Sequence, residues 1–422
     1  MDAEKTPTVA FINLGCRVNR VETDSIALVL EEAGCRIGPP AEADAIVVNT
    51  CAVTGEAEAK TRKTLRHAAG LPKRPQVVAT GCVASLFADE LRSLAANITV
   101  VPRKSEVAHA VLSELGVDGA SGPLSCHGSA PTPTGRTRPG IKVQDGCDNR
   151  CTFCIVWKAR GKGRSVALEQ VLAEVDEAIS HGAQEVVLTG INLGQYRSEE
   201  DGREVRLPEL LTSLMERTEI GRVRLSSIEP PDVDAPLIEV MARYPERIAP
   251  FLHICLQSGC DATLRRMGRK YDAALYRKAV EAARARIPHL ALGCDLIVGF
   301  PGETDEEFEE SYRFCEEMRF AKMHIFRYSK RPGTPAATAP GQVPPEVMAR
   351  RAQKMHEAAE RMREAEAAKL VGEDELVLIQ EPGLGVTGGL FEAEVDPGLP
   401  VDTLQRLRIV RTLPKGRLAA EA

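Results

Sequence analysis

The order of strand-like and helix-like segments constrains the fold of this chain more than any other sequence feature. Short β-branched and apolar runs lie at 8–14, 44–49, 76–80 and 98–102, and helical stretches such as 24–33 and 56–69 separate them. Strands that alternate with helices in this way favour a parallel sheet covered by helices. We therefore predict an α/β fold for this part of the chain, with a flavodoxin-like or Rossmann-like sheet.

A second series of alternating strands and helices follows. Its strand-like runs lie at 141–144, 185–189, 222–226, 251–256, 290–298 and 322–327, and helical segments include 168–180, 276–286 and 306–318. A complete (β/α)8 barrel needs eight parallel strands, and only six are present here. The pattern therefore predicts a partial, open (β/α)6 barrel.

The remaining segments divide the chain into domains. Residues 116–140 are rich in Gly, Ser, Pro and Thr, which is typical of a linker. A long charged helix at 344–370 precedes short strands at 376–380, 390–395 and 407–411, which predict a small β-barrel. We expect an N-terminal domain at 6–115, a linker at 116–135, a barrel domain at 136–366 and a C-terminal domain at 367–422.

Composition limits the setting in which the chain works. A chain of 422 residues that is 43% hydrophobic can bury several cores, while its net charge of −6 gives no general attraction to nucleic acid. The N-terminus has no apolar signal segment, and no apolar run approaches the length that spans a membrane. We therefore expect a cytoplasmic protein without membrane contact. In that reducing setting, its twelve cysteines are more often metal ligands than partners in disulfide bonds.

Three cysteines form a compact CxxxCxxC run: Cys147, Cys151 and Cys154. Structural zinc takes four protein ligands, so three thiolates are one short of a closed zinc site. In a four-iron cluster, three cysteines leave one iron open to a substrate or cofactor. The spacing favours an open iron–sulfur cluster. A zinc site completed by a distant cysteine, or three buried thiols, are the structural alternatives.

A second set of three cysteines follows the first three main strands: Cys16, Cys51 and Cys82. The carboxyl ends of adjacent parallel strands meet at one edge, where ligands bind, so these loops can converge. We expect a second metal site, with Gly15 and Gly81 leaving room for a bulky cofactor, although each thiol alone could be a buried core residue. The other six cysteines show no ligand spacing and are interpreted as structural: Cys35, Cys126, Cys255, Cys260, Cys294 and Cys315.

These motifs resemble those of a known family. A CxxxCxxC run after the first strand of a six-stranded partial barrel resembles the radical S-adenosylmethionine superfamily. The segment GCRVNRVETD at 15–24, together with Cys51 and Cys82, is similar to the N-terminal domain of the methylthiotransferases. Further matches lie at 145–147, 160–161, 224–230, 253–259, 267–269, 295–303 and 327–334. Segments 15–24 and 327–334 are most similar to the branch, called the MtaB type, that modifies N6-threonylcarbamoyladenosine.

The resemblance implies a reaction and its cofactors. It implies two 4Fe-4S clusters: an open one on Cys147, Cys151 and Cys154 that cleaves S-adenosylmethionine, and one on the other triad that holds the sulfur to be inserted. The product would carry a methylthio group on C2 of N6-threonylcarbamoyladenosine, in the anticodon region of tRNA. An electron donor such as flavodoxin or ferredoxin would supply the reducing electron.

Polar residues at the carboxyl ends of later barrel strands are candidates for holding the cofactor. They are Asn192, Ser226, Glu229, Gln257 and Arg269. Glu229 could accept from an amino or hydroxyl group, and Arg269 could make a two-pronged contact with a carboxylate. Each could equally be an ordinary polar residue at a loop end. His253 is more typical of a packed residue, and Trp157, the only tryptophan, of one that fills space near the cluster.

Three other functions stay open. The same chemistry could act on isopentenyladenosine in tRNA or on a ribosomal protein side chain, and a non-catalytic cluster- or zinc-binding sensor or scaffold is a different class. The C-terminal segment resembles a TRAM module, an RNA-gripping barrel, yet residues 367–422 carry six Lys and Arg against nine Asp and Glu. Runs of basic residues usually form a solvated face, but near a cluster they could contact phosphates. The candidates are Lys60, Arg62, Lys63, Arg66, Arg327, Lys330, Arg331, Arg406, Arg408, Arg411, Lys415 and Arg417.

Overall fold

A computed structural model describes residues 6–117 and 137–422 of the chain. Residues 118–135 of the predicted linker at 116–135, and with them Cys126, lie outside the described residues. The four predicted domain boundaries therefore stay a prediction. No helix of the described residues is long and apolar enough to cross a membrane.

The N-terminal part is a five-stranded parallel sheet with helices on both faces. Its strands are β1 Thr8–Asn13, β2 Arg36–Ile37, β3 Ala45–Thr50, β4 Gln76–Gly81 and β5 Ile98–Val100. Its helices are α1 Arg17–Glu32, α2 Gly55–Ala69, α3 Cys82–Leu86, α4 Ala88–Arg92 and α5 Val107–Leu115. The strand order β2-β1-β3-β4-β5 is that of flavodoxin, which confirms the predicted class.

The pairing register of this sheet aligns the carboxyl ends of its central strands. Asn13 of β1 lies opposite Asn49 of β3, and Thr50 lies opposite Gly81 of β4. The three loops that carry cysteines therefore leave the sheet at the same edge, as the positions of the strands had predicted.

Helix α1 begins seven residues before the predicted start at residue 24. Its first turns bury the polar residues Asn19 and Glu22, which face the barrel domain rather than an apolar core. A search for apolar periodicity misses a helix whose buried face is polar. The early start matters because it brings α1 against the central domain.

The central part is an open arc of six parallel strand positions. The arc consists of β6 Gly140–Lys142, β9 Glu185–Thr189, β12 Arg222–Leu225 continued by β13 Ser227–Ile228, β14 Phe251–Ile254, β15 Ala291–Val298 and β16 Lys322–Arg327. The third position is split at Ser226, so the strands pair as two sheets, β12-β9-β6 and β13-β14-β15-β16. The predicted partial barrel is confirmed, with this interruption added.

Helices and two short antiparallel strand pairs surround the arc. The helices are α6 Val156–Arg160, α7 Leu168–Ser180, α8 Leu207–Arg217, α9 Ala235–Arg243, α10 Asp261–Arg266, α11 Ala273–Arg286, α12 Asp305–Met318, α13 Pro335–Thr338 and α14 Pro345–Ala368. Two short antiparallel strand pairs are absent from the sequence prediction. One joins β7 Gln144–Asp145 to β8 Arg164–Ser165, and the other is the hairpin of β10 Arg197–Glu200 and β11 Arg203–Arg206.

The C-terminal part is a closed barrel of five strands. They are β17 Asp374–Glu381, β18 Leu384–Val386, β19 Glu392–Glu394, β20 Leu404–Leu413 and β21 Arg417–Glu421. The sequence prediction identified three strands here and missed β18 and β21. Both are short, and their Gly and Ala residues have low β-propensity.

A buried ion cluster joins the arc to the C-terminal barrel. Glu185 forms ion pairs with Arg222 and, at 2.8 Å, with Arg224, and all three are almost fully buried. The two guanidinium groups also donate to backbone carbonyls of the C-terminal barrel, including those of Leu376 at 2.5 Å and Gly388 at 2.6 Å. These bonds tie the C-terminal barrel to the amino ends of the arc strands.

Candidate functional site

One large cavity lies between the N-terminal sheet edge and the inner face of the arc. Its volume is about 680 Å³, and we call it the central cavity. Every site residue predicted from the sequence lines it: Cys16, Cys51, Cys82, Cys147, Cys151, Cys154, Asn192, Ser226, Glu229, Gln257 and Arg269. The structure thus brings together residues from two separate parts of the chain.

The first triad, Cys16, Cys51 and Cys82, is held at the sheet edge by tight backbone packing. Gly81 has a φ of +95°, and a Cβ there would lie 2.4 Å from the carbonyl oxygen of Thr50. A Cβ on Gly15 would overlap the side chain of Asn19. These glycines therefore permit close packing within the protein, whereas the sequence analysis had assigned them to making room for a cofactor.

The second triad occupies a loop that is anchored at both ends. The Cys147 amide donates to the carbonyl of Gly161 at 3.1 Å, and the Cys154 amide donates to that of Cys151 at 3.1 Å. Between them, Thr152 bonds through its amide to Met267 and through its hydroxyl to the carbonyl of Arg266. This loop is therefore fixed against the segment that also carries Arg269.

Both triads are chemically suited to an iron–sulfur cluster. Burial, with the other two sulfurs of its triad, raises the pKa of the Cys51 thiol to about 11, and the same causes raise that of Cys154 to about 12. Ligands are thiolates, and a bound cation deprotonates a coordinating thiol. Cys51 and Cys154 would therefore ionise when a metal cluster is bound.

Arg269 lies beside the second triad. Its Nη1 donates to the sulfur of Cys151 at 2.9 Å, and its Nη2 forms an ion pair with Glu229. Its Nε donates to the hydroxyl of Tyr271 at 3.1 Å, and that hydroxyl donates to the carbonyl of Cys255 at 2.6 Å. Glu229 and Arg269 thus form one charged pair at the cavity wall, positioned by Tyr271.

Two predicted cofactor residues carry polar atoms that lack a partner. The Oδ1 of Asn192 and the Oγ of Ser226 are buried without a hydrogen bond among the described residues. Buried polar atoms are normally paired, so unpaired ones that line a cavity indicate a bound ligand. The loop before Asn192 is held by Gln144, whose Oε1 accepts from the amides of Ile191 and Asn192 at 3.0 and 2.9 Å. The residues present therefore fit a polar cofactor.

The two cysteine-bearing parts meet at Arg160. Its Nη1 lies 2.8 Å from Glu22 of α1 and 2.9 Å from Asp145, and its Nη2 donates to Asn19. Burial would raise the pKa of Glu22, but Arg160 and two nearby lysines lower it well below its usual range. This network fixes α1, and Cys16 before it, to the arc.

Sequence reasoning missed several cavity residues on the inner faces of the arc strands. The Nε2 of His253 lies 3.3 Å from Asp295, and its ring lies 5.7 Å from that of His324. One nitrogen or oxygen from each of the three lies within 4.8 Å of the others. The alternation of Lys322, His324 and Phe326 along β16 was the available signal, because alternate residues share one face.

The tryptophan and the cysteines without a predicted ligand role lie partly in the cavity and partly in the core. Trp157 lines the cavity, and Arg150 lies 4.4 Å from its ring centroid. Cys255, interpreted as structural, also lines the cavity. The remaining described cysteines without a predicted ligand role are buried in core positions: Cys35, Cys260, Cys294 and Cys315.

Several basic residues considered for phosphate contact are engaged within the protein. Arg331 is 2% exposed and pairs with Glu58. The other pairs join Arg62 to Glu58 and Glu90, Arg327 to Glu56, Arg406 to Glu246, Arg408 to Asp374, and Arg417 to Glu394. The expectation for Arg331 is wrong, because its guanidinium is buried at the contact between the N-terminal part and the arc.

Comparison with known proteins agrees with this geometry. Residues 141–315 match the family model described as the radical SAM superfamily, and residues 8–102 match Uncharacterized protein family UPF0004. The radical S-adenosylmethionine methyltransferase TsrM from Kitasatospora setae, solved with tryptophan and a cofactor analogue, is a structural neighbour. Its TM-score is 0.56 at 15% identity, over 79% of this chain and 75% of that one, and this likeness concerns the fold alone.

The curated relatives are nearer in sequence. The chain is 36% identical to the threonylcarbamoyladenosine tRNA methylthiotransferase MtaB of Thermotoga maritima, over 88% of this chain and 86% of that protein. It is 38% identical to MtaB of Bacillus subtilis, over 80% and 76%. It is 32% identical to a tRNA-2-methylthio-N(6)-dimethylallyladenosine synthase of Erythrobacter litoralis, over 95% and 94%.

Fold and site together define a radical S-adenosylmethionine enzyme, a class that uses S-adenosylmethionine and a 4Fe-4S cluster. The N-terminal domain and the relatives narrow this further. The chain belongs to the tRNA methylthiotransferase family, and the resemblance inferred from its motifs is confirmed.

Proposed function

We propose that this enzyme adds a methylthio group to C2 of N6-threonylcarbamoyladenosine in tRNA. The observation that carries the proposal is the single central cavity lined by both cysteine triads. One triad leaves an iron open for S-adenosylmethionine, and the other supplies a site for a sulfur atom beside it. The similarity to two MtaB proteins supports the threonylcarbamoyl substrate.

The six cysteines take two roles in this proposal. Cys147, Cys151 and Cys154 hold the open cluster, while Cys16, Cys51 and Cys82 hold a second 4Fe-4S cluster. When bound, the cofactors supply a 5′-deoxyadenosyl radical and the sulfur for insertion, chemistry that protein side chains lack. The protein positions the two sites in one cavity and limits the access of water.

Neighbouring residues bind and orient the cofactor. Arg269 and Glu229 present a cation and a carboxylate beside Cys151, where they would contact the carboxylate and amino group of S-adenosylmethionine. The unpaired Asn192 and Ser226 atoms would bond to its ribose and adenine groups. Gln257, which lines the same wall with a φ of +64°, would complete this contact.

The proposed reaction also defines the partners. Reductive cleavage of a sulfonium requires an external electron, for which flavodoxin or ferredoxin is a suitable donor. The tRNA anticodon region must reach the central cavity, so we propose that the enzyme works in the cytoplasm, where tRNA is modified and thiols stay reduced.

The decisive experiment is nucleoside mass spectrometry after anaerobic turnover. The enzyme is reconstituted with iron and sulfide and given S-adenosylmethionine, a reductant and tRNA carrying threonylcarbamoyladenosine. We expect a methylthio product that is lost in both Cys51→Ala and Cys151→Ala, with 5′-deoxyadenosine formation surviving only in Cys51→Ala. Cys35→Ala is the matched control, since Cys35 is buried in the other core of the N-terminal sheet.

Two other results would replace the proposal. A methylthio product on isopentenyladenosine tRNA or on a ribosomal protein, but not on threonylcarbamoyladenosine, would keep the chemistry and change the substrate. Zinc in place of about eight irons (two four-iron clusters) and no cleavage of S-adenosylmethionine would indicate a non-catalytic scaffold.

A further inference from the structure

Arg17 and Lys322 line the central cavity, and no described residue pairs with either side chain. Arg17 is the first residue of α1, directly after Cys16, and Lys322 is the first residue of β16. Among the described residues, neither side chain makes a hydrogen bond or an ion pair. By contrast, Arg160 and Arg269 of the same cavity are each bound to a carboxylate. Arg17 and Lys322 therefore leave two positive charges free to face a ligand.

The surrounding charges do not neutralise this pair. The groups that act on Lys322, besides its burial, are all cationic: Arg17, Arg363, Arg138 and Arg224. The one carboxylate that acts on Arg17 is Glu185, which already binds Arg222 and Arg224. Arg17 is exposed and Lys322 is half-buried, so both charged groups are accessible from the space of the cavity. This end of the cavity is thus electropositive.

The other polar groups nearby do not change this conclusion. Asp295 lies on the neighbouring strand β15, opposite His324, and is 3.3 Å from His253. Arg20 also lines the central cavity, but its charge interacts with Asp24. Asp24 and Glu381 line a smaller adjoining recess of about 330 Å³, which Arg17 and Arg20 also border. The excess of positive charge is therefore concentrated at Arg17 and Lys322, inside the cavity that holds both triads.

We propose that Arg17 and Lys322 bind the carboxylate of the threonylcarbamoyl group and so determine substrate specificity. This inference rests on the proposed function, whose substrate carries one carboxylate on the base that must enter the cavity. Tethered to N6, that carboxylate accompanies the base, whereas backbone phosphates stay at the cavity mouth. An arginine offers a two-pronged contact to a carboxylate, and a lysine adds a point charge. A dimethylallyl group has no charge to match them.

Binding of modified anticodon stem-loops to the reconstituted full-length enzyme tests this inference. The probes carry threonylcarbamoyladenosine, its neutral threonine-amide analogue, or unmodified adenosine, and fluorescence anisotropy gives Kd. We expect the wild type to prefer the carboxylate over the amide by roughly tenfold or more, because a charge-assisted hydrogen bond is lost. Arg17→Gln and Lys322→Gln should each reduce this preference, and the double variant should abolish it. Arg17→Lys should retain part of it.

The controls separate this role from general effects. Affinity for the unmodified stem-loop and iron content should stay within about twofold in all variants, a range well below the tenfold change expected of the specific contact. Lys278→Gln removes an exposed cation of α11 and should leave the preference unchanged.

Three results would overturn the inference. An equal loss of affinity for all three stem-loops would assign the two cations to phosphate. An unchanged preference in the double variant would remove them from recognition. A fourth stem-loop, which carries dimethylallyladenosine, tests the proposed function itself. If the wild type binds this probe most tightly and product analysis shows that it is converted, the proposed function is overturned as well.

Discussion

The guanidinium of Arg269 lies 2.9 Å from the sulfur of Cys151, the middle cysteine of the CxxxCxxC loop. The same side chain holds Glu229 through its other terminal nitrogen. A cation at a thiolate ligand stabilises added negative charge, and hydrogen bonds to sulfur raise the reduction potential of a cluster. Arg269 is therefore placed to act on both the cluster and the cofactor beside it.

Replacement of this arginine should separate cluster assembly from cofactor cleavage. Arg269→Gln removes the charge and leaves all three cysteines, so we expect iron content to be retained. The KM for S-adenosylmethionine should rise about tenfold or more, and the reduction potential should become more negative. Rates of 5′-deoxyadenosine formation and a redox titration measure the two effects. Arg265→Gln, an exposed residue of α10, is the control, and a parallel loss of iron would contradict a positioning role.

A second prediction concerns the number of cysteine ligands on the open cluster. Cys255 lines the cavity, and its carbonyl accepts from the hydroxyl of Tyr271 at 2.6 Å. Because Cys255 lies at the carboxyl end of β14 and outside the CxxxCxxC loop, we expect Cys255→Ala to keep its full iron content and to cleave S-adenosylmethionine. Cys151→Ala should lose about half of its iron (one of two clusters). Iron analysis with 5′-deoxyadenosine assays decides this. Iron loss in Cys255→Ala would show a fourth ligand and no open iron.

A third prediction concerns the contact between the N-terminal part and the arc. Arg331 is almost fully buried and pairs with Glu58, while Ser329 accepts from the amide of Gly55 at 2.9 Å. Arg331→Met removes the buried partner of Glu58 and leaves only Arg62, at 3.5 Å, as a counter-charge. The free energy of unfolding should therefore fall by about 3 kcal/mol, the lower end of the range for breaking a buried ion pair. Urea unfolding measures this loss.

The matching controls use the same two elements. The double variant Arg331→Met with Glu58→Leu should recover most of the lost stability, since no charge is left unpaired. Arg327 pairs with Glu56 at 3.1 Å in an exposed position, so Arg327→Met should change stability by less than about 1 kcal/mol. Equal losses in both single variants would show that burial of the Arg331 pair is unimportant.

Much of the fold could be predicted because its strands are strongly apolar and β-branched. The prediction of 185–189 and of 322–327 matches the bounds of β9 and β16. Prediction failed where burial is polar or where the strand is weak: α1 begins early because its first turns pack Asn19 and Glu22 against the arc, and β18 and β21 lack branched residues over most of their length. In these cases tertiary contacts decide what local pattern does not show.

Part of the candidate site could be predicted from the sequence, and part of it could not. The cysteines could be predicted because one triad is local in the chain and the other follows adjacent strand ends, where geometry requires convergence. Arg17 and Lys322 come from elements far apart in sequence. Whether a carboxylate pairs with either of them depends on the tertiary structure, so the local sequence could not identify them as a cationic pair. Conversely, Arg331 gives no local sign of its buried partner Glu58. Its short basic run was therefore expected to be a solvated face or, near the cluster, a contact for phosphates.

The buried carboxylate of Glu185 makes attachment of the C-terminal barrel dependent on pH. Burial alone would raise the pKa of Glu185, but Arg222 and Arg224 lower it to about 2, from an ordinary value of 4.5. The unfolded chain therefore takes up this proton at a higher pH than the folded protein does. The stability that the ionised group contributes, about 3 kcal/mol, is present above pH 4.5 and is lost as the pH falls toward 2.

Urea unfolding of the apoprotein between pH 6 and pH 3 tests this, since acid loss of iron and sulfide does not then contribute. We expect the free energy of unfolding to fall over this range, and to fall less steeply in Glu185→Gln, which is less stable at pH 6 because two arginines lose their counter-charge. Glu246→Gln is the control, because Glu246 pairs with Arg406 of the same interface in an exposed position. If both variants keep the slope of the wild type, another carboxylate causes the pH dependence, and Glu22 at the Arg160 network is the next to replace, since its pKa is lowered as well.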